Sequence, residues 1–142
     1  MTPWPGRVFC DTSFFFASLE PRDQNHAVAL LWLKQSQQHK SVFFTTWDIV
    51  SETVTLLRRK SGYPVARAFV DEIIPSLRLV ATDGSVRQEA LEIFRRFAKD
   101  KKLSFCDCVS YAILSTQLAE IPTATFDNHF KSLGLPVLPL AE

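Results

Sequence analysis

Short apolar runs alternate with longer amphipathic stretches along this chain of 142 residues. The runs are rich in Val, Phe and Leu, which is typical of buried strands, and turn residues bound them. The longer stretches place apolar residues at helical spacing, as Ala27, Leu30 and Leu31 do. We predict strands at 7–10, 41–45, 77–81 and 123–126, with a short fifth strand at 137–138. We predict helices at 14–19, 25–37, 65–74, 85–99 and 105–118, and one that follows a cap at Thr45 or Thr46 and ends near Lys60.

Helical segments lie between consecutive strands, so the strands must run parallel, joined by crossovers that are nearly always right-handed. The length suits one domain with a sizeable core and is too short for two ordinary domains. We therefore predict a single α/β domain over residues 1–142, with a central parallel sheet of four to five strands flanked by helices.

Two capping boxes are expected from the sequence. Ser85 with Gln88 would begin one helix, and Ser104 with Asp107 would begin the next.

Four carboxylates stand where apolar strands end or helices begin. Asp11 and Asp127 directly follow predicted strands, while Glu52 and Asp107 lie near predicted helix starts. Ligands of open parallel sheets bind beyond the carboxyl ends of the strands, so these four side chains can converge there. Acids beside core segments are usually paired or bind a metal, and oxygen ligands suit Mg²⁺ or Mn²⁺. The pattern predicts a metal site fit for phosphodiester hydrolysis.

Each acid also has a plain structural interpretation. Asp11 can cap a helix or turn, Glu52 can be a solvated residue at a helix edge, and Asp127 can start a turn. The structural interpretation of Asp107 is that it forms a capping box with Ser104 and has no further role. The joint arrangement carries more weight than any one of these residues.

Composition narrows the function classes. The chain is 46% hydrophobic, which excludes a disordered protein, and its net charge of +1 provides no global field for nucleic acid. RNA contacts would need a local patch, and the basic run Arg95, Arg96, Lys99, Lys101 and Lys102 is the candidate. Three cysteines in apolar contexts indicate free thiols. We find no signal peptide and no membrane span, and expect a cytoplasmic protein.

The three histidines give weak signals. His26, His39 and His129 are scattered, so a site built on histidine ligands is not expected. We expect His26 to pack between helices and His129 to lie at the rim of the acidic site.

Four stretches of the chain resemble the VapC-like branch of the PIN-domain ribonucleases: DTSFFFASLEPRDQNHAVA (11–29), TTWDIVSETVTLL (45–57), LSFCDCVSYAI (103–113) and TATFDNHFKSLGLPVLP (123–139). The resemblance implies that Asp11, Glu52, Asp107 and Asp127 are catalytic and bind Mg²⁺ or Mn²⁺. It implies that Ser13 and Thr125 hold ligands or a water in place. It also implies a toxin that cleaves RNA to 5′-phosphate and 3′-hydroxyl ends, pairs as a homodimer and binds an antitoxin.

Apolar residues of the early helices, among them Phe14, Phe15, Phe16 and Leu31, exceed what the core obviously needs and favour partner surfaces. Two alternative functions remain open. One is a non-catalytic α/β interaction module with an acidic ion-binding pocket. The other is a haloacid dehalogenase-type phosphatase, although that chemistry wants an acid where Ser13 stands.

Overall fold

A computed structural model describes residues 3–140 and contains one parallel sheet in the order β3-β2-β1-β4. The strands are β1 (Arg7–Cys10), β2 (Val42–Thr45), β3 (Arg78–Leu79) and β4 (Thr123–Ala124). The helices are α1 (Thr12–Leu19), α2 (His26–Gln38), α3 (Trp47–Lys60), α4 (Tyr63–Ala68), α5 (Gly84–Lys101), α6 (Phe105–Leu114) and α7 (Asn128–Ser132). The predicted α/β class with a parallel sheet is confirmed.

Strand β1 lies at the centre of the sheet, where it pairs in parallel with β2 on one side and β4 on the other. Val8, Phe9 and Cys10 are completely buried, because helices cover both faces of a parallel sheet. The strand order reverses between β1 and β4. The carboxyl ends of these two strands are therefore the expected place for a ligand.

Helices α5 and α6 pack against each other beside the sheet and share an apolar cluster. Val86, Ala90 and Ile93 of α5 are buried with Cys108 and Val109 of α6. This packing fixes α6, and the start of α6 carries Asp107.

Two helix predictions were wrong at their boundaries. Helix α6 ends at Leu114 and not at Leu118, because the hydroxyls of Ser115 and Thr116 donate to backbone carbonyls of the preceding turn. The N-cap of α5 is Asp83, whose Oδ1 accepts from the N–H of Val86 at 3.0 Å, so Ser85 and Gln88 form no capping box there.

The predicted helix at 65–74 is a composite. Helix α4 gives way to a π-helical turn over Phe69–Ile73 and a 3₁₀ turn over Ile74–Ser76. Pro75 has no N–H for a helical hydrogen bond, which explains why the regular helix does not continue through it.

Strand content is lower than predicted. β3 and β4 have two residues each, and the expected fifth strand is a single parallel bridge between Thr123 and Val137. Thr123 accepts a hydrogen bond from the N–H of Leu138, so the last segment still covers the outer edge of β4.

The expectation of excess apolar surface on the early helices was partly wrong. Phe14, Phe15 and Trp32 are buried in the core, whereas Val28 and Leu31 of α2 and Val70 after α4 are exposed. All three cysteines are free, as predicted. Among residues 3–140, no helix is both long and apolar enough to cross a membrane.

Candidate metal centre

Asp11 directly follows the central strand, at the carboxyl edge of the sheet. Its backbone occupies the N-cap position of α1, yet its side chain makes no capping hydrogen bond. The plain interpretation of Asp11 as a helix cap is therefore wrong. The carboxylate instead turns to the end of β4 and is 6% exposed.

Two hydroxyl groups hold the Asp11 carboxylate. Ser13 Oγ donates to Asp11 Oδ2 at 3.0 Å, and Thr125 Oγ1 donates to the same oxygen at 2.9 Å. The two hydroxyls also lie 3.1 Å apart. They accept in turn from the N–H groups of Phe126 and Asp127, so they tie the end of β1 to the loop after β4.

Asp107 lies in the first turn of α6 and forms the predicted capping box. Ser104 Oγ accepts from the N–H of Asp107 at 3.0 Å, and Asp107 Oδ2 accepts from the N–H of Ser104 at 3.1 Å. Each carboxyl oxygen has two lone pairs, so this cap leaves acceptor capacity that faces the other acids.

Asp127 and His129 complete a compact donor group with Asp107. Asp127 Oδ1 caps α7 by accepting from the N–H of His129 at 2.9 Å. The imidazole Nδ1 of His129 lies 3.1 Å from Asp127 Oδ1 and 3.3 Å from Asp107 Oδ2. One donor atom from each residue falls within 4.8 Å of the others, which is the spacing of ligands around a single cation.

Glu52 approaches the centre from helix α3. It is exposed and lies in a surface groove with Cys106, the residue before Asp107. Burial, with smaller contributions from the charges of Glu52, Asp11 and Asp107, raises the pKa of the Cys106 thiol. Asp11 and Glu52 stand outside the compact group of Asp107, Asp127 and His129.

The surroundings of Asp11 disfavour the charged form of its carboxyl group. Burial, with a smaller contribution from the charge of Asp107, raises the pKa of Asp11 from 3.8 to about 6, against the lowering effect of the Thr125 and Ser13 hydrogen bonds. A divalent cation would remove this penalty. Carboxylate oxygens with one imidazole nitrogen are a ligand set suited to Mg²⁺, Mn²⁺ or a similar ion.

The basic run occupies the last turns of α5. Arg95, Arg96 and Lys99 are exposed, and Lys102 takes a left-handed conformation with φ of 53° that leads the chain into α6. Arg95 is partly engaged by Glu92 at 3.3 Å. The role of these residues in RNA binding stays a prediction.

His129 is the residue that sequence reasoning placed too far from the chemistry. We expected it at the rim, and it lies between two of the four acids. The sequence did contain a signal, which is the position of His129 two residues after Asp127. An Asp at the N-cap accepts a hydrogen bond from the N–H of the second helical residue, so that residue lies close to the Asp carboxylate. His26 behaves as predicted and packs between helices, with Nδ1 2.7 Å from the Ala17 carbonyl oxygen.

Comparison with known proteins identifies the family. A family model described as the PIN domain matches residues 8–135, which is most of the chain. The chain therefore belongs to the PIN-domain family. This excludes the haloacid dehalogenase alternative.

Individual relatives are VapC proteins. The chain is 28% identical to a VapC ribonuclease of Archaeoglobus fulgidus over 123 residues, which are 84% of this chain and 76% of that protein. It is also 28% identical to the 23S rRNA-specific endonuclease VapC20 of Mycobacterium tuberculosis over 129 residues, 89% of this chain and 94% of that one. The crystal structure of Mycobacterium tuberculosis VapC20, described as a sarcin-ricin loop cleaving toxin, superposes with a TM-score of 0.76 at 26% identity, covering 90% of this chain and 95% of that one.

Proposed function

We propose that this protein is a metal-dependent endoribonuclease and the toxin of a toxin–antitoxin pair. The observation that carries the proposal is the buried Asp11 carboxylate. It lies beside Asp107 with hydroxyl partners but no partnering cation among residues 3–140. A nuclease site needs such acids, whereas a merely structural site gains nothing from leaving them without a counter-charge.

Asp11, Glu52, Asp107 and Asp127 would hold the metal, and His129 is placed to contribute a nitrogen. A divalent cation bound there supplies a Lewis acid that lowers the pKa of a water and neutralises charge on the cleaved phosphodiester. Neither Mg²⁺ nor Mn²⁺ is favoured by the carboxylates alone.

The surrounding residues orient these ligands. Ser13 and Thr125 hold one oxygen of Asp11, and the Ser104 N–H holds Asp107. Such supporting hydrogen bonds typically change metal affinity or activity by 10–100-fold. No protein nucleophile is required, because water attacks phosphorus and the 3′ oxygen leaves.

The partners follow from the similarity to VapC proteins. Ribosomal RNA is the first substrate to test, since the Mycobacterium tuberculosis relative is named for 23S rRNA. An antitoxin would block the site by placing an Arg or Lys among the acids, where it replaces the metal charge.

The exposed Val28, Leu31 and Val70 are the candidate contacts of a homodimer, which a measurement of the molar mass in solution at micromolar concentration tests.

Purified protein should cleave RNA with Mg²⁺ or Mn²⁺ and stop when EDTA is added. The same ions should stabilise the fold by mass action, by about 2.7 kcal/mol at a concentration 100 times Kd. Sequencing of the 5′ ends should show 5′-phosphates at few sites. The neighbouring reading frame's product should abolish cleavage.

A protein whose unfolding ignores both ions and which cuts no RNA would contradict this proposal. Ion-dependent stabilisation without cleavage would instead favour the non-catalytic ion-binding module. The matched control is Asp71→Asn, which removes an exposed acid of the Arg67–Asp71 ion pair and should change neither result.

A further inference from the structure

A groove lies between α3, along which it extends from Trp47 to Arg59, and the first turn of α6. Its volume is about 810 Å³, within the range of roughly 300–1,000 Å³ that is typical of ligand sites. Its lining residues include Glu52, which is one of the four predicted ligands, Cys106, which precedes Asp107 in α6, and Arg59. A substrate bound at the acids therefore has this groove beside it.

Two exposed aromatic rings line the groove. Trp47 is the first residue of α3 and is 60% exposed, and Phe105 is the first residue of α6 and is 42% exposed. Phe94 of α5 supports Phe105 edge-on, with ring centroids 6.2 Å apart. Large rings left this open beside a polar site usually mark a binding surface, because isolated folding would favour their burial.

The charges of the groove favour a base over a phosphate near these rings. Asp48 and Glu52 line it together with Trp47, so an anionic phosphate at that point would be repelled. A neutral nucleobase stacks on an aromatic face, and its N–H groups suit carboxylate acceptors. Arg59 offers the groove's positive charge for a neighbouring phosphate.

We propose that Trp47 and Phe105 form a stacking subsite for one unpaired base of the RNA, adjacent to the phosphodiester that is cut. This inference rests on the proposed ribonuclease function and adds the determinant of substrate position. A base must leave its helix to stack here, so the subsite selects single-stranded or looped RNA. It also fixes the register of the strand across the acids.

The test combines protein variants with a substrate scan. Trp47→Ala and Phe105→Ala should each lower kcat/KM on a short single-stranded RNA about ten- to hundredfold, the range for one lost stacked base. Trp47→Phe should retain activity within about threefold. Tyr63→Ala is the matched control, since Tyr63 is 56% exposed but lies outside the groove at the start of α4, and it should cleave like the wild type.

The substrate scan places one abasic site at each position of the RNA in turn. A single position should reduce cleavage by the wild type about as much as Trp47→Ala does. That abasic site should have no further effect on the Trp47→Ala protein, because ring and base act as a pair. Equal, additive effects in both proteins would overturn the proposal.

Fluorescence gives a readout that does not depend on cleavage. With Ca²⁺ in place of Mg²⁺ and the RNA shown intact on a gel, bound RNA should quench the emission of the exposed Trp47, and Trp47→Phe should lose this quenching.

If the protein is no ribonuclease, the wild type neither cleaves nor shows quenching. If only the subsite is wrong, the wild type cleaves and the Trp47 and Phe105 variants cleave equally well. Full cleavage by Trp47→Ala with weakened binding of the neighbouring frame's product would assign the groove to a protein partner instead.

Discussion

Helix α1 has a buried carboxylate at each end, and the two have opposite surroundings. Asp11 precedes its first turn and Glu20 follows its last, and each is 6% exposed. Burial raises the pKa of Asp11 to about 6, while the hydrogen bonds and charge of Arg22 lower the pKa of Glu20 to about 2.

The two carboxylates differ in whether a neighbouring side chain carries the opposite charge. Glu20 accepts hydrogen bonds from the guanidinium and the backbone N–H of Arg22, and another from Ser61 Oγ at 3.1 Å. Arg22 donates as well to the carbonyl of Lys60, so Glu20 and Arg22 fasten the α1–α2 loop to the end of α3. Among residues 3–140, the side chains that hydrogen-bond to Asp11 are two neutral hydroxyls. The carboxylate at one end of the helix has an arginine as its counter-charge, and the proposed metal ion would supply the counter-charge at the other end.

Asp11→Asn should have the largest effect on stability and on activity, and it tests most directly whether the two carboxylates differ in charge compensation. Because the pKa of Asp11 rises from 3.8 in the unfolded chain to about 6, the folded protein binds the proton more tightly. Its stability therefore falls as pH rises between these values, and the full cost of roughly 3 kcal/mol is present above pH 6. In EDTA at pH 7.5, Asp11→Asn should be more stable by up to that amount. With Mg²⁺ present in place of EDTA, its RNA cleavage should fall by more than about 100-fold relative to the wild type.

Urea unfolding at pH 7.5 and near pH 4 measures this effect, and the gap between variant and wild type should close at the lower pH. Glu20→Gln is the paired variant and should be less stable than the wild type at pH 7.5. If both substitutions destabilise equally, Asp11 has no uncompensated charge and the contrast is void.

His129→Gln tests whether the imidazole between Asp107 and Asp127 binds the metal. Removing the imidazole between Asp107 and Asp127 should weaken binding of Mn²⁺ about 10- to 100-fold and that of Mg²⁺ less, because nitrogen ligands suit Mn²⁺ better than Mg²⁺. Calorimetric titration with each ion measures it. His39→Gln is the control, since His39 is exposed and its ring contacts the Gln35 carbonyl, away from the acids. Equal losses for both ions would leave His129 a supporting residue and not a ligand.

The smallest effect concerns acid unfolding through Glu20. A carboxyl whose pKa is depressed on folding stabilises the protein above its unfolded value and loses that contribution as pH falls through the folded value. The stability difference between wild type and Glu20→Gln should therefore be constant above about pH 4.5 and shrink towards pH 2. Urea midpoints across this interval measure it, and a difference independent of pH would show that packing, and not charge, sets the effect.

The positions of two acids at the edge of the sheet could be predicted from the strands. Asp11 and Asp127 follow β1 and β4, and parallel strand ends meet at one edge whatever the loops do. The Ser104–Asp107 capping box was equally readable, because it depends on residues three apart. These local and periodic signals also gave the fold class.

The parts that sequence reasoning missed depend on distant contacts. Whether Phe14 packs inside or Trp47 stays outside depends on which elements cover them, and no local pattern records that. The early end of α6 and the reduction of the last strand to one bridge likewise result from competition between side-chain and backbone hydrogen bonds.

The pairing of β1 with β4 has a consequence for synthesis of the chain. Asp11 and Thr125, which hydrogen-bond directly, are 114 residues apart. At about 5–20 residues per second, translation takes on the order of 6–23 seconds to pass from one to the other. The nascent polypeptide thus carries its first acid for most of its time on the ribosome without the hydroxyl, the carboxylate and the imidazole that the final segment brings. The proposed ribonuclease site therefore stays incomplete until that last segment has emerged.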